Sequence, residues 1–579
     1  MATIEIKMAT YRNGDDVQLY WRTVVNGKAD EPIPGCLGFV IERQRLDKQG
    51  NFGPTEVLRN RVGFKDGTNS DETNTVDDQM LSQPSNIWPF QSFSWTDHGA
   101  NSGQTVKYRI GALSAVNGQD PGTAPLNAIT FSKWTDSIEV SADCDNGISA
   151  YFNRGFVMSQ FVSRIARENG WDPKEIKNHI KDIKEPLRRF MSGELRLALL
   201  ALTNEVIENT SLELYAALFE LSDDELIQQL KLLRGRAHVV LANGADKSGD
   251  ENDDAREALR GAKVDVKDRL LGSKGLGHNK FAVVYNKKTK KAIKVWTGST
   301  NWAPTGLCTQ VNNGILIEDG PVANFYFEHW NDLVAAGNDF TPALIANNAK
   351  SPGSDNNIDV WFTPIRKHST KNKDLGADLN ELVDLVKGTK KALLYVMFQP
   401  GTEPLKTIMD LPNDKIVKGV VSTLSSTVEE SFKLHGTEDK EYKSKLVVPQ
   451  GVPISFSYWI KEVSRRDFLG SIGFAITHSK MIVIDPLSDD CTVITGSHNF
   501  SVSASEKNDE NFVVIKKNKK LAEAYSVACL ATYAHYRWRA YVHDQTAAKK
   551  KIWSHLSDKD GWQKDCLTDD VKTTLAYWC

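Results

Sequence analysis

Residues 476–500, ITHSKMIVIDPLSDDCTVITGSHNF, decide the fold. Two short apolar runs, Met481–Ile484 and 492–495, have the length of buried strands, and the DPLSDD between them has the composition of a turn. The chemistry sits at the outer ends of both runs. His478 and Lys480 flank Ser479 before the first, and Gly496-Ser497-His498-Asn499 follows the second. Two such strands would bring an imidazole, an ammonium and a carboxamide together.

The stretch has a twin. Residues 275–320, GLGHNKFAVVYNKKTKKAIKVWTGSTNWAPTGLCTQVNNGILIEDG, carry His278, Lys280, Gly298, Ser299 and Asn301, about two hundred residues before their counterparts His478, Lys480, Gly496, Ser497 and Asn499. Downstream, QVNNGILI aligns with NDENFVVI and each leads into a helical pattern; upstream, LELYAALFEL and KALLYVMFQPG play the same strand part. One His-x-Lys, or one Gly-Ser-x-Asn, is ordinary strand-end and turn composition. Both together, at matching offsets and twice in one chain, mark an internal repeat. SPGSDNN at 351–357 is expected to join the copies. Within the first copy, DDELIQQLKLL reads as a helix opening on acidic residues, AHVVLANG as a strand, and the polar DKSGDENDDARE as a solvated loop.

The 579 residues exceed one ordinary core, and 40% apolar with 25% charged residues describes a globular protein. A formal net charge of -3 exerts no global pull on nucleic acid. The N-terminus shows no basic region followed by an apolar stretch, and no apolar run approaches the roughly 18 residues of a membrane span, so a cytoplasmic location without a transmembrane segment is expected, non-classical export staying open. Seven scattered cysteines with no CxxC pair read as reduced thiols without a zinc framework. Before about residue 145 the pattern is all β, with VQLYWRTVV, GFVIERQR, VKYRIGAL and WTDSIEV separated by Gly, Pro, Asn and Asp clusters. Trp21, GFVIERQ and SGQTVKYRIGAL resemble a fibronectin type III sandwich, over this segment alone. SNIWPFQSF, 85–93, is expected to pack against the next domain.

The paired HxK and GSxN signatures resemble the phospholipase D superfamily, whose two motifs meet across a pseudo-twofold axis to make one site. The resemblance implies an α/β protein in which two pseudo-symmetric units, 146–350 and 351–579, form one catalytic module behind a β-sandwich, 1–145. The second copy also matches at Asp485 and Glu510. The first departs twice, with Tyr285 at the motif's Asp and Asn312 aligned with Glu510.

Residue types alone carry the chemistry of phosphodiester cleavage. It needs a nucleophile, a proton for the departing oxygen and stabilisation of charge on the phosphoryl oxygens. Two imidazoles, with reference pKa near 6.5, divide the first two tasks, one attacking as a neutral ring to become a phosphohistidine. Lys280, Lys480, Asn301 and Asn499 supply charge and N–H donors. With no metal-spaced His/Asp cluster nearby, metal-independent chemistry without a cofactor is expected. By the family's pattern, the acid after one GSxN motif contacts the other half's histidine. Glu510 would then hold His278, the nucleophile, and His478 would face Asn312 as general acid and base. Ser299 and Ser497 are candidate donors to phosphate or histidine, Gly298 and Gly496 allow close backbone approach, and Asp485 either supports the site or ends a strand. His498 reads as a bystander, Trp302 as packing or mouth, and KKTKK (287–291) as a hairpin tip. KKK (549–551) beside Trp553 reads as a helix-end surface, and Arg154 as part of a helix start.

Three functions stay open. The first is a phospholipase D acting on a phospholipid headgroup by hydrolysis or alcohol exchange, compatible with transient contact at a membrane surface; Trp296, Trp302, Phe281 and Phe500 beside the motifs agree with it. The second is a nuclease using the same histidines, and the third a binding module that has lost activity through Tyr285 and Asn312. Both half-sites lie in one chain, so a monomer suffices.

Overall fold

The computed structural model describes residues 3–64, 75–76, 79–80, 82–155, 170, 176–245, 248–372, 374–422, 446, 477–547 and 555–579. The lysines at 549–551 and residues 156–164 lie outside them. Two compact units emerge. One joins Met1–Ser141 to Gln545–Cys579, and the other is Ala142–Asp544.

The first unit is all β in its N-terminal part. Strands Ile4–Arg12, Val17–Val25 and Ser94–Asp97 form one sheet, and Asn127–Phe131, Thr105–Ser114, Cys36–Arg45 and Glu56–Val57 line up in the other. Alternation along Thr105–Ser114 buries Val106, Tyr108, Ile110 and Ala112, while Trp21 and Phe39 meet edge to face at 5.7 Å. SNIWPFQSF packs inside this unit, not against the next domain: Trp88 clusters with Leu37, Phe64 and Leu556, and Phe93 stacks on Trp562 at 5.6 Å.

The chain's last residues also belong here, so the second α/β unit stops short of the 579 expected for it. Trp562 donates its indole N–H to the Cys36 carbonyl at 2.9 Å, and Trp578 stacks on Tyr20 with ring planes 6° apart. Both rings are buried and complete the β core.

The second unit contains two seven-stranded sheets. Across the first the order is Ile148–Phe152, Asn313–Ile317, Lys291–Gly298, Lys280–Asn286, Leu212–Leu218, Ala237–Ala242 and Asp265–Arg269; across the second it is Gly353–Asp355, Ile358–Thr363, Glu510–Lys516, Thr492–Gly496, Met481–Ile484, Ala392–Met397 and Ile416–Val421. From Ile148–Phe152 and from Ile358–Thr363 onward, the pairings run antiparallel until the parallel step from Leu212–Leu218 to Ala237–Ala242, and from Ala392–Met397 to Ile416–Val421. The continuous apolar run Met481–Ile484 is buried at every position, as an interior strand of its sheet. The helix Asp224–Leu233 forms where expected, with the Asp223 carboxylate accepting from the Leu226 N–H at 3.2 Å.

The segment between the two sheets takes a definite form, and one loop expectation is corrected. SPGSDNN makes a hairpin, in which Gly353–Asp355 pairs with Ile358–Thr363 around Asn356 and Asn357, both at positive φ. The segment read as a solvated loop, 246–257, runs into the helix Asp253–Gly261, and its Asn252 and Arg256 are buried, bonding the ends of neighbouring strands. Among the described residues no helix is long and apolar enough to cross a membrane.

Replacing Trp578 with alanine is expected to lower the stability of the β-rich unit by about 3–5 kcal/mol, the usual cost of deleting a buried tryptophan side chain. Urea unfolding of the full chain measures it, and an unmoved midpoint would show that the last helix adds nothing to that core.

Candidate functional site

The two sheets exchange short segments. The Asp509 N–H donates to the Leu276 carbonyl at 2.8 Å, and the His478 N–H donates to the Val311 carbonyl at 2.9 Å. The residues ahead of each HxK are thus tied to those after the opposite GSxN. Asn313 donates to the Thr495 hydroxyl at 2.7 Å, and Asn511 accepts from the Thr297 hydroxyl at 2.6 Å, so an asparagine at the start of each last strand reaches into the other half. Arg269 pairs with Asp509 at 2.8 Å, both 1% exposed.

This exchange gathers the predicted residues. His278 and His478 are each 5% exposed, Lys280 1%, Asn301 3%, and Lys480, Asn312 and Glu510 0%. His278 Nδ1 lies 2.7 Å from Glu510 Oε2, which also accepts from the Ser497 hydroxyl at 2.8 Å. His478 Nδ1 lies 3.1 Å from the Ser299 carbonyl and 3.0 Å from Asn312 Oδ1. Asn312 donates its amide N–H to the Gly306 carbonyl at 2.9 Å and takes the Ser299 hydroxyl on Oδ1 at 2.8 Å, which fixes its orientation. All partners of both Nδ1 atoms are therefore acceptors, so in each neutral ring the proton sits on Nδ1 and Nε2 keeps its lone pair.

Each lysine donates one N–H to the carbonyl of its own motif's histidine, Lys280 at 2.8 Å and Lys480 at 2.5 Å, and has further N–H groups to offer. Gly298 and Gly496 are required by packing. A Cβ at Gly298 would lie 2.5 Å from the Asn313 carbonyl oxygen, at φ +140, and one at Gly496 would lie 2.3 Å from that of Asn511. The amide oxygens of Asn301 and Asn499 are buried without a partner among the described residues.

Burial dominates the electrostatics. It lowers His278 to about 4, with Glu510 opposing and Lys280 assisting, and holds His478 well below 6.5 with Lys480 and Lys280 adding to the effect. Lys280 falls to about 7 from burial, resisted by Glu510 and Glu220. Burial pushes the Glu510 carboxyl up, but the charges of His278 and Lys280 leave it below its ordinary value. The field of each half is felt in the other.

Three side chains escaped the sequence reading. Phe219 follows the strand Leu212–Leu218, its ring 4.6 Å from His278 and 4.8 Å beneath the Lys280 ammonium. Phe398 follows Ala392–Met397 and does the same for His478 at 4.8 Å and Lys480 at 5.1 Å. Glu220, next to Phe219, accepts from the Asn301 amide at 2.7 Å, and burial raises its carboxyl to about 7 although Lys280 pulls it down. Aligning LELYAALFEL with KALLYVMFQPG by register, with Leu218 opposite Lys280 and Val396 opposite Met481, would have paired the two phenylalanines.

Asp485 lies apart from this cluster. It stands beyond the far end of the strand Met481–Ile484, roughly 16 Å from Lys480 at about 3.3 Å per residue. Its carboxylate accepts the backbone N–H groups of Lys390, Lys391 and Ala392. Tyr285 occupies the same end of the first sheet, stacked on Phe327 at 4.7 Å. His498 accepts the Phe500 N–H and faces Asp378, a packing role. Trp296, Trp302, Phe281 and Phe500 are 0–1% exposed and belong to the core, so none lines a lipid mouth. The KKTKK hairpin tip is exposed, and Arg154, buried, lies over the Phe190 ring.

A family model described as "Cardiolipin synthase, PLD-like domain" matches residues 420–528. Over 50 residues the chain is 50% identical to a phospholipase D of Rickettsia prowazekii (strain Madrid E), covering 9% of this chain and 22% of that one. The chain thus spans only about a fifth of the length of that curated relative. Among solved structures, a phosphatidylserine synthase of Haemophilus influenzae Rd KW20 is 15% identical over 61% of this chain and 85% of its own, with a TM-score of 0.38. A yeast tyrosyl-DNA phosphodiesterase is 12% identical over 54% and 84%, with a TM-score of 0.31.

Asp509→Ala would strand the buried Arg269 guanidinium and is expected to cost about 3–5 kcal/mol, whereas Arg269→Met with Asp509→Leu recovers most of it. Thermal unfolding of the full chain distinguishes the two, and equal midpoints for single and double variants would deny that the pair fastens the sheets.

Proposed function

We propose, from the premise that the chain belongs to the phospholipase D superfamily of phosphodiesterases, that residues 146–350 and the second unit from 351 form one pseudo-symmetric, metal-independent catalytic module. The module cleaves a phospholipid headgroup phosphodiester through a phosphohistidine. The observation that carries this reading is the pair of buried imidazoles, each held at Nδ1 by acceptors, with no hydrogen-bond partner at Nε2 among the described residues.

His278 is the nucleophile. Its proton is committed to the Glu510 carboxylate, and burial keeps the ring neutral, so the Nε2 lone pair attacks phosphorus. The bond to the headgroup oxygen breaks as the new P–N bond forms. The ring then carries positive character, which the Glu510 carboxylate across the Nδ1–H bond balances. His478 enters with a second proton on Nε2 and gives it to the departing oxygen. Burial opposes that charged form, and the negative charge of an arriving phosphodiester favours it. In the second step the now neutral His478 takes a proton from water, or from an alcohol, as its oxygen attacks phosphorus and His278 leaves. Hydrolysis and headgroup exchange share the intermediate. Lys280, Lys480, Asn301 and Asn499 hold the phosphoryl oxygens, the ammoniums doing what a metal ion does elsewhere.

The lipid substrate is favoured by the stretch shared with a phospholipase D and by the description of the matching family model. Tyr285 gives no support to a disabled first half, because it stands at the strand end away from the histidines, and Asn312 serves as a partner of His478.

In EDTA, the protein is expected to release headgroup from a short-chain phosphatidylcholine and leave a single-stranded oligonucleotide intact, with His278→Ala and His478→Ala each at least about 10³-fold slower. His478→Ala should accumulate acid-labile phosphate on the protein and His278→Ala none. Oligonucleotide cleavage without lipid turnover would make it a nuclease.

The pH profile has a definite sign. His278 must be neutral and His478 protonated in the free enzyme, and burial holds both below 6.5, His278 at about 4. Raising the pH strips His478 of the proton it donates, so kcat/KM should fall as the pH rises through the depressed His478 pKa, with the decline already under way below pH 6.5. Glu510→Gln, which removes the balancing carboxylate, should lower kcat by about 10²–10⁴. A kcat/KM that rises with pH over that range would overturn the requirement for a protonated imidazole as general acid.

A further inference from the structure

A carboxylate is an unexpected neighbour for a site that binds an anion, and Glu220 is such a neighbour. It follows Phe219, whose ring touches His278, and its Oε2 accepts from Asn301 at 2.7 Å. Its charge acts on both Lys280 and Lys480. The backbone around it is fastened on every side. Asn252 donates to the Phe219 carbonyl at 2.8 Å and accepts the Leu221 N–H at 2.9 Å, while the Trp302 N–H donates to the Glu220 carbonyl at 3.1 Å. Asn252 is 2% exposed and Trp302 0%. The Glu220 side chain itself is only partly buried, and its Oε1 accepts no hydrogen bond among the described residues.

The position is asymmetric between the halves. Register places Gln399, after Phe398, where Glu220 stands after Phe219, and Gln399 is also partly buried. A neutral amide would have served equally well to accept the Asn301 N–H. The clamp thus presents a negative oxygen beside the phosphate-holding lysines, on one flank only.

We propose that Glu220 determines substrate charge, its free carboxylate oxygen taking the ammonium of a zwitterionic phosphodiester headgroup while Lys280, Lys480, Asn301 and Asn499 hold the phosphate. This rests on the phosphodiesterase reading above and deepens it. A headgroup with an amine two carbons beyond the bridging oxygen offers one negative and one positive charge a few ångströms apart, and the site offers their complements in the same order. A polynucleotide offers further phosphates instead, which the same carboxylate repels. Phosphate arrival draws on the charge of the two lysines, leaving Glu220 less compensated and the headgroup ammonium the natural replacement. Glu251, whose charge also bears on Glu220, accepts the Ala245 N–H at 2.8 Å and adds to the negative potential on this flank.

The test compares kcat/KM of the full chain on short-chain phosphatidylcholine and phosphatidylethanolamine with that on phosphatidylglycerol and phosphatidylmethanol, for the unmodified protein and for Glu220→Gln. Glutamine keeps an acceptor for Asn301 and removes only the charge, and Glu220→Asp, which keeps charge at shorter reach, guards against a misfolded variant. The unmodified protein should favour the ammonium lipids by about tenfold or more, Glu220→Gln should bring that ratio near one, and Glu220→Asp should retain part of it. A ratio unmoved by Glu220→Gln, or equal losses on both lipid classes, would overturn the assignment and leave Glu220 a positioning residue for Asn301. Turnover of none of the four lipids by the unmodified protein would instead overturn the lipid reading, and this assignment with it.

Discussion

Each candidate imidazole takes its Nδ1 acceptors from the opposite half of the chain, and most of the site's geometry follows from that exchange. Glu510, from the second sheet, faces His278 of the first; Ser299 and Asn312, from the first, face His478 of the second. Neither half alone would orient its own ring. The Leu276–Asn508 and Val311–Thr477 bridges and the Arg269–Asp509 pair keep the exchange in register, and because those groups are buried, a small displacement would leave several polar atoms unsatisfied at once. Docking of the sheets and assembly of the site are therefore one event.

The near-symmetry of the exchange makes its exceptions informative. Phenylalanines, lysines, serines and glycines match between halves in position and contact. Where the halves differ, the difference is one of charge: a carboxylate at 510 against an amide at 312, and a carboxylate at 220 against an amide at 399. A reaction that uses one histidine as nucleophile and the other as acid has no use for a symmetric field. On the proposed reaction, Glu510 lies beside the ring that would take positive charge, and Glu220 sets a negative oxygen on one flank of the two lysines.

Much of this was legible in the residues because the reacting groups stand at strand ends marked by short local patterns. His278, Lys280, His478 and Lys480 precede apolar runs, Asn301 and Asn499 follow them, and the repeat aligns Asn312 with Glu510. Phe219, Phe398 and Glu220 were hidden because they reach the site at the ends of strands distant along the chain, where only sheet register brings them beside the histidines. Asp485 misled in the other direction, since nearness to His478 in sequence becomes distance along a strand. Trp296, Trp302, Phe281 and Phe500 alternate inward into packed cores, a matter of pleat that composition alone does not reveal. Trp562 and Trp578 look like any amphipathic helix residues, and which core they complete is decided by the empty places on the β sheets around Tyr20 and Phe39.

Dryness ties the electrostatics to the chemistry. Two histidines and two lysines in water would carry their protons according to ordinary pKa values, and four positive charges would repel. Burial removes part of that charge in the free protein, lowering all four groups, and leaves Glu510 and Glu220 as the carboxylates that favour what remains. An arriving phosphodiester restores the reason for each group to be charged, since its anionic oxygens enter the same low-dielectric space. The protonation that the proposed reaction needs is thus most favourable when a phosphodiester is present, and the free site avoids holding an uncompensated cluster of cations. Such an arrangement explains why lysine, whose pKa moves readily on burial, stands where the always-charged arginine would not adapt.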